Sequence, residues 1–131
     1  MRGIMVRLPH PAKELRPNGR AHWAAKARAA KKARFVAKVM MHEALVWHVE
    51  GPAVSGVRGI RYELKWFYKG AVPDADNCLA SCKAYLDGCC DALGVNDRVL
   101  DCAGIHRVKD REQAGTVLIR FYKEESDGKL D

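Results

Sequence analysis

The sequence predicts one domain of mixed α/β or α+β class, with two main helices packed on a small four-stranded sheet. At 131 residues the chain has the usual length of a single domain. With 48% hydrophobic and 30% charged residues it has the composition of a folded protein, which argues against a disordered chain. Its hydrophobic pattern gives the order strand, helix, strand, helix, strand, strand.

The elements follow from alternation, from helix-forming composition and from the residues that stop each element. Ile4, Val6 and Leu8 alternate with Met5 and Arg7 in a short first strand, which Pro9 and Pro11 terminate. The other expected strands are 60–68, 99–108 and 116–122, and the expected helices are 22–47 and 74–93. The polar tail 124–131 is expected to fray.

The first helix is expected because 22–47 is rich in Ala, Lys, Arg and Met and contains neither Gly nor Pro. At about 100° per residue, its apolar side chains fall on one side and its basic ones on another. The side expected to pack contains Phe35, Val36, Val39 and Met40. The side expected to face solvent or DNA contains Lys26, Lys31, Arg34 and Lys38.

Charge is divided unevenly along the chain. Residues 1–70 carry 15 Lys and Arg against 4 Asp and Glu, whereas residues 71–131 carry 8 against 12. A basic half beside an acidic site suits a protein that binds a polyanion by its phosphates, and a solubilising surface is the alternative. Arg16, Asn18 and Arg20, in the turn-rich loop around Gly19, are candidate phosphate contacts or solvated loop residues.

The most informative stretch, 73–100, gathers five aspartates in an otherwise basic chain: Asp74, Asp76, Asp87, Asp91 and Asp97. Crowded carboxylates repel each other, so they need a cation, a proton or full solvation. A DxD pair with a later Asp suits Mg²⁺, which takes oxygen ligands. The alternative is structural, with Asp74 or Asp76 capping the helix and Lys83 pairing with Asp87 four residues on. Asp87, Asp91 and Asp101 are the substitutes for Asp97 as third ligand.

The five cysteines, at 78, 82, 89, 90 and 102, are expected to be reduced thiols. Their number is odd, and most fall on the apolar arc of the second helix, so a core position is favoured over a zinc site. No apolar run approaches the roughly 20 residues of a membrane helix, and the N-terminus lacks the core of a signal peptide. These features favour a cytoplasmic protein.

The run Asp74-Ala75-Asp76-Asn77, followed by Lys83 with Asp87 and then by 91–99, resembles the RusA family of Holliday-junction resolvases, the crossover-junction endodeoxyribonucleases. Members of that family carry DxDN, a Lys and an Asp on the following helix, and then an acidic turn. In many members the Lys follows the motif about one turn sooner, and an arginine run precedes it where this chain has only Lys69.

The resemblance implies a RusA-like α/β homodimer that cuts four-way DNA junctions with Mg²⁺, or with Mn²⁺ in its place. It implies Asp74, Asp76 and Asp97 as metal ligands and catalytic acids, and Lys83 as the essential lysine. Asn77, Asp87 and Asp91 would support them, and Lys69 would contact DNA. A non-catalytic protein that binds branched DNA through the same fold is the alternative, and flaps or replication forks are alternative substrates.

Overall fold

A computed structural model describes residues 3–17, 22–46 and 59–123 of the chain. The helices are α1 (Trp23–Val46), α2 (Ala75–Ser81) and α3 (Lys83–Leu93). The strands are β1 (Ile4–Pro9), β2 (Ile60–Tyr68), β3 (Leu100–Lys109) and β4 (Thr116–Lys123), and short 3₁₀ turns cover Lys13–Leu15 and Asp97–Val99. The prediction of a mixed domain with a four-stranded sheet is confirmed, while the tail 124–131 lies outside the described residues.

The sheet has the strand order β1-β4-β2-β3, and only the β2–β3 pair is parallel. Parallel strands cannot be joined by a tight turn, so the chain returns from the end of β2 to the start of β3 through α2 and α3. Ile60 pairs with Leu100 at one end of this pair, and Tyr68 pairs with Lys109 at the other. One extra residue, Ala103, bulges from β3 where the register shifts after Tyr62.

The second predicted helix is two helices, because the chain leaves helical geometry at Cys82. The Ser81 hydroxyl donates to the Cys78 carbonyl oxygen at 2.9 Å, and that oxygen would otherwise accept from Cys82 N–H. The Cys82 N–H instead bonds to the Leu79 carbonyl oxygen at 3.0 Å, the tighter spacing of a 3₁₀ turn. The prediction of one continuous helix is therefore wrong, and local competition for one carbonyl explains why.

The core is formed by buried side chains of β1, β2 and β4 together with those of α1 and α3. Ala33, Ala37 and Met41 are the buried residues of α1. Phe35 and Val39, predicted to pack, are 66% and 45% exposed. The remaining predicted packing residues, Val36 and Met40, are half-buried against the core.

The reason for this rotation of α1 is its close approach to α3. A Cβ added to Gly88 would collide with the Arg34 carbonyl oxygen and would lie 2.9 Å from the Ala37 Cβ. Only small residues fit where two helix backbones come this near, so alanines and not Phe35 face α3. Large side chains on α1 are consequently left on its outer side.

Candidate functional site

The DxDN motif lies at the N-terminal end of α2, directly after β2. Asp74 is the cap residue, and its Oδ1 accepts from the Asn77 N–H at 3.1 Å. Asp76 lies in the first turn, and the side chains of Asp74, Asp76 and Asn77 are all exposed. The capping role that the sequence left open for Asp74 is confirmed, and it leaves one oxygen of that carboxylate and both of Asp76 without a hydrogen bond from the described residues.

Arg107 of β3 fixes this motif to the sheet. Its Nη1 donates to the Pro73 carbonyl oxygen at 2.9 Å, immediately before Asp74. Arg107 pairs in register with Trp66, two residues before the end of β2. Asp74 and Asp76 therefore lie beside an arginine at the carboxyl ends of the two parallel strands. The sequence reasoning missed Arg107, because its pairing with Trp66 and its contact with Pro73 depend on a strand register that the sequence does not show.

Asp97 lies at the other end of the same crossover. It begins the 3₁₀ turn that leads into β3, and Leu100 pairs with the first residue of β2. From Leu100 to Arg107 a strand rises about 23 Å at roughly 3.3 Å per residue. Within residues 3–17, 22–46 and 59–123, no three His, Cys, Asp or Glu side chains are grouped to hold a metal ion.

The predicted grouping of Asp97 with Asp74 and Asp76 is therefore not formed within one chain. The physical reason is that Asp97 binds Lys83, the first residue of α3, and the rest of α2 lies between Lys83 and the motif. Asp101, a predicted substitute, follows Asp97 into the start of β3 and belongs to no such group among the described residues. Asp87 and Asp91 lie on α3 in the Asp97 cluster described next.

Lys83 belongs to the distant cluster and not to the DxDN motif. Its Nζ donates to Asp87 Oδ1 at 2.8 Å and to Asp97 Oδ2 at 3.0 Å. The hydrogen bond to Asp87, and then that to Asp97, raises the pKa of the lysine, while Lys83 lowers the pKa of Asp97. The predicted Lys83–Asp87 bridge is confirmed. An ammonium already bound by two carboxylates holds the loop after α3 to the helix.

Arg34 completes this cluster from α1. Its guanidinium binds Asp91 with two hydrogen bonds, Nε to Oδ2 at 2.6 Å and Nη2 to Oδ1 at 2.8 Å. The pair raises the pKa of Arg34 and lowers that of Asp91. The two ion-paired groups surround a cavity of about 370 Å³ that Cys90, Val95 and Asn96 also line. Arg34, for which DNA contact stays a prediction, also ties α1 to α3.

The other predicted DNA contacts are distributed over several elements. Lys31 and Lys38 are exposed on α1 and Lys26 is half-buried, and none forms an ion pair with a described residue. Arg16 is exposed after the first 3₁₀ turn, and Lys69 is exposed between β2 and α2. Asn18 and Arg20 lie outside the described residues.

The cysteines are free thiols, as predicted. Cys78, Cys82, Cys89 and Cys90 are buried in the core, and Cys102 is exposed on β3. Burial raises the pKa of Cys78 and of Cys90 to about 11 and that of Cys82 to about 12. Neutral buried thiols act as small hydrophobic residues, which supports the core interpretation over the zinc alternative.

Comparison with known proteins gives one relative and no family. An uncharacterized protein of Xylella fastidiosa (strain Temecula1 / ATCC 700964) is 44% identical over 95 residues, which are 70% of this chain and 58% of that protein. The chain thus spans less than two thirds of the relative it matches. No family model matches the chain. No helix in the described ranges is long and apolar enough to span a bilayer.

Proposed function

We propose that the protein is a metal-dependent endodeoxyribonuclease that acts on branched DNA, with Asp74 and Asp76 as the carboxylates that hold the metal. The observation that carries this proposal is the position of the two exposed carboxylates at the carboxyl ends of parallel strands β2 and β3. In open α/β sheets this is where ligands bind. The resemblance of Asp74–Asn77 to the RusA motif supports the same site.

The residues present fit Mg²⁺, or Mn²⁺, in their donor chemistry. Asp74 retains one carboxylate oxygen beyond its helix cap, and Asp76 contributes a second exposed carboxylate. Two carboxylates are sufficient, because Mg²⁺ commonly binds one or two carboxylates together with waters and phosphate oxygens. When bound, the metal supplies Lewis-acid polarisation of a phosphate and a more acidic water. Its affinity would depend strongly on the DNA, since the protein alone provides few ligands.

Cations close to the motif would position the scissile phosphate. Arg107 adjoins Pro73, and Lys69 is exposed in the segment between β2 and α2. Both would contact phosphate oxygens and offset the charge that develops on them. We assign Lys83 and Asp97 a structural role instead, because they bind each other near the start of β3. Symmetric resolution of a junction would further require a two-fold homodimer.

The experiment is cleavage of a synthetic four-way junction in Mg²⁺ by wild type, Asp76→Asn and Asp97→Asn. The first substitution removes a proposed ligand, so cleavage should fall on the order of 10²-fold or more. Asp97→Asn is the matched control, since it removes an exposed aspartate that binds Lys83 outside the DxDN motif, and cleavage should stay within a few-fold of wild type. Circular dichroism checks that both variants fold.

Two results would contradict the proposal: an intact junction after incubation with wild type, or equal cleavage by Asp76→Asn. If Asp97→Asn abolished cleavage as fully as Asp76→Asn does, the result would support the three-aspartate site that the family resemblance implies. Asp97 would then come from the partner subunit. Flap and fork substrates, run in parallel, rank the substrate alternatives.

A non-catalytic protein that binds branched DNA is the second candidate. It is favoured by the absence of a three-ligand group among the described residues and by the ion pairing of Lys83. In that case a gel shift of the junction would be the same in Mg²⁺ and in EDTA, would fall steeply with salt, and would be unchanged by Asp76→Asn. A Mg²⁺-dependent nick in the same samples excludes this candidate.

A further inference from the structure

A cavity of about 470 Å³ lies between the end of β1, the first 3₁₀ turn, α1 and Tyr85 of α3. Its volume is in the range of sites that take small organic ligands, roughly 300–1,000 Å³. It is separate from the Asp74–Asp76 motif, although both lie at the same end of the sheet. Pro9 at its rim pairs with Thr116 of β4, whose neighbour Val117 pairs with Trp66 of β2.

Three charged side chains of both signs line this cavity. Glu14 comes from the 3₁₀ turn, and Arg28 and Lys32 lie one turn apart on α1. None of the three forms an ion pair with any described residue, so the carboxylate and the cations are held more than 4 Å apart across the cavity. Facing charges that do not meet leave room for a ligand with an anionic group and a hydrogen-bond donor.

The rest of the lining is mostly apolar, and the Tyr85 hydroxyl in it already has a hydrogen-bond partner. Ala25, Ala29 and Ala33 form the wall on α1, with Val36 beyond them. Tyr85 Oη donates to the Pro9 carbonyl oxygen at 2.9 Å. The Tyr85 hydroxyl and the Pro9 carbonyl oxygen therefore need no hydrogen bond from a ligand.

His10, which also lines the cavity, likewise makes its contacts within the protein. Its ring stacks on Trp66 with centroids 4.0 Å apart, and its Nε2 lies 2.9 Å from the Phe67 carbonyl oxygen. Burial lowers its pKa, so the ring is neutral at pH 7 and adds no charge to the cavity. The cavity thus presents an uncharged and mostly apolar wall to the uncharged part of a ligand.

We propose that this cavity binds a nucleotide whose base carries an exocyclic amino group, such as cytosine. Its phosphate binds Arg28 and Lys32, its base lies against the α1 alanines, and Glu14 accepts from the amino group, the pairing that carboxylates make with cytosine N4. The ligand is a free nucleotide or one unit of a nucleic-acid strand, which share this chemistry. The proposal requires no cleavage and does not depend on the proposed nuclease.

The test is a ¹⁵N NMR titration of the full chain in EDTA with dCMP, dTMP and deoxycytidine. We expect saturable shifts at Ala25 and Ala29 with dCMP, and binding about 5-fold weaker or more for dTMP, which lacks the amino group. Deoxycytidine, which lacks the phosphate, should bind about 10-fold more weakly. Lys32→Gln should weaken dCMP binding several-fold, and Glu14→Gln should remove the preference for dCMP over dTMP.

Lys65→Gln is the control, since Lys65 is an exposed lysine of β2 that does not line the cavity. Titration with (dC)₈ identifies the source: shifts at the same alanines at lower concentration identify a strand, and their absence identifies a free nucleotide. The proposal is overturned if dCMP leaves Ala25 and Ala29 unshifted, or if Lys65→Gln weakens binding as much as Lys32→Gln. Because no metal and no junction is present, its failure is distinct from that of the nuclease proposal.

Discussion

Arg34 and Asp91 form the best-aligned ion pair among the described residues, because both nitrogens of one fork meet both oxygens of the carboxylate. Both groups are largely solvated, so their contribution to stability is limited to about 0.2–1 kcal/mol at neutral pH. The sequence indicated a basic face on α1 and an acid on α3, but it contained no sign that the two would meet. Residues 57 positions apart are brought together only by helix packing.

The first prediction concerns acid stability. Arg34 depresses the folded-state pKa of Asp91 below its ordinary 3.8, so the stabilisation is present above that pH and is lost as pH falls through the lower, folded value. Asp91→Asn should lower the urea midpoint slightly at pH 7 and by less at pH 2, because Asp91 of the wild type loses its charge as pH falls. Asp101→Asn is the control. An equal loss at both pH values would show that packing, and not charge, is responsible.

The second prediction concerns thiol reactivity. Cys102 is the exposed thiol, whereas the other four are at most 4% exposed and, for Cys78, Cys82 and Cys90, have a pKa of about 11 to 12. Because thiolates are the reacting species, a disulfide reagent at pH 8 should modify one thiol rapidly in native protein and five in urea. Cys102→Ser should abolish the rapid phase. Two or more rapid equivalents would place a second cysteine at the surface.

At the scale of elements, α1 and α3 pack closely because Gly88 has no side chain. Gly88 permits the α1 backbone to approach, and this approach decides which side of α1 is buried. The helix predicted at 22–47 is confirmed, since α1 covers Trp23–Val46. The prediction placed Phe35 and Val39 inside because hydrophobicity alone ranks them above alanine, whereas the narrow gap at Gly88 admits only alanine.

The third prediction is that Gly88→Ala lowers the free energy of unfolding by about 1–3 kcal/mol. The new methyl group gains up to about 1 kcal/mol of helix propensity, but it meets a backbone carbonyl that cannot move aside. Urea denaturation followed by circular dichroism measures the change. Gly70→Ala is the comparison, because a methyl group there meets nothing within 4 Å and costs only the strain of a positive φ. A Gly88→Ala protein as stable as wild type would show that the helices can separate.

The sequence was sufficient to predict the ends of β2, but it did not predict the break between α2 and α3. The strict alternation of 60–68 fixed both ends of β2. The break at Cys82 was not readable, because it depends on whether Ser81 or Cys82 donates to one carbonyl oxygen. The separation of Asp97 from Asp74 was not readable either, because it depends on the contact that Asp97 makes with Lys83 from the loop after α3.

At the scale of the whole molecule, the exposed side of α1 carries basic residues. Lys31 and Lys38 have no ion pair with described residues, whereas Lys83 is bound by two aspartates. A molecule with a net charge of +7 attracts polyanions in general, but only unpaired cations release counterions from DNA.

The fourth prediction therefore concerns the salt dependence of DNA binding. Replacing both Lys31 and Lys38 by Gln should reduce the slope of log K against log salt by about 1.8, at roughly 0.9 for each phosphate contact. Lys83→Gln, the control, should change the slope little because its ammonium is already neutralised. Fluorescence anisotropy with a labelled junction at several salt concentrations measures the slopes. Equal effects of Lys83 and the α1 lysines would mean that total charge alone governs binding.

The bulge at Ala103 has a consequence for solubility. Among the described strands β3 is at the edge and is ten residues long, and the outer row of backbone N–H and C=O groups of such a strand is a template onto which another chain could add. A regular edge of that length is an aggregation hazard, but the extra residue bends the strand and interrupts its repeat near the middle. The single insertion that shifts the register of β3 thus also divides its open edge into two stretches too short to recruit a long strand.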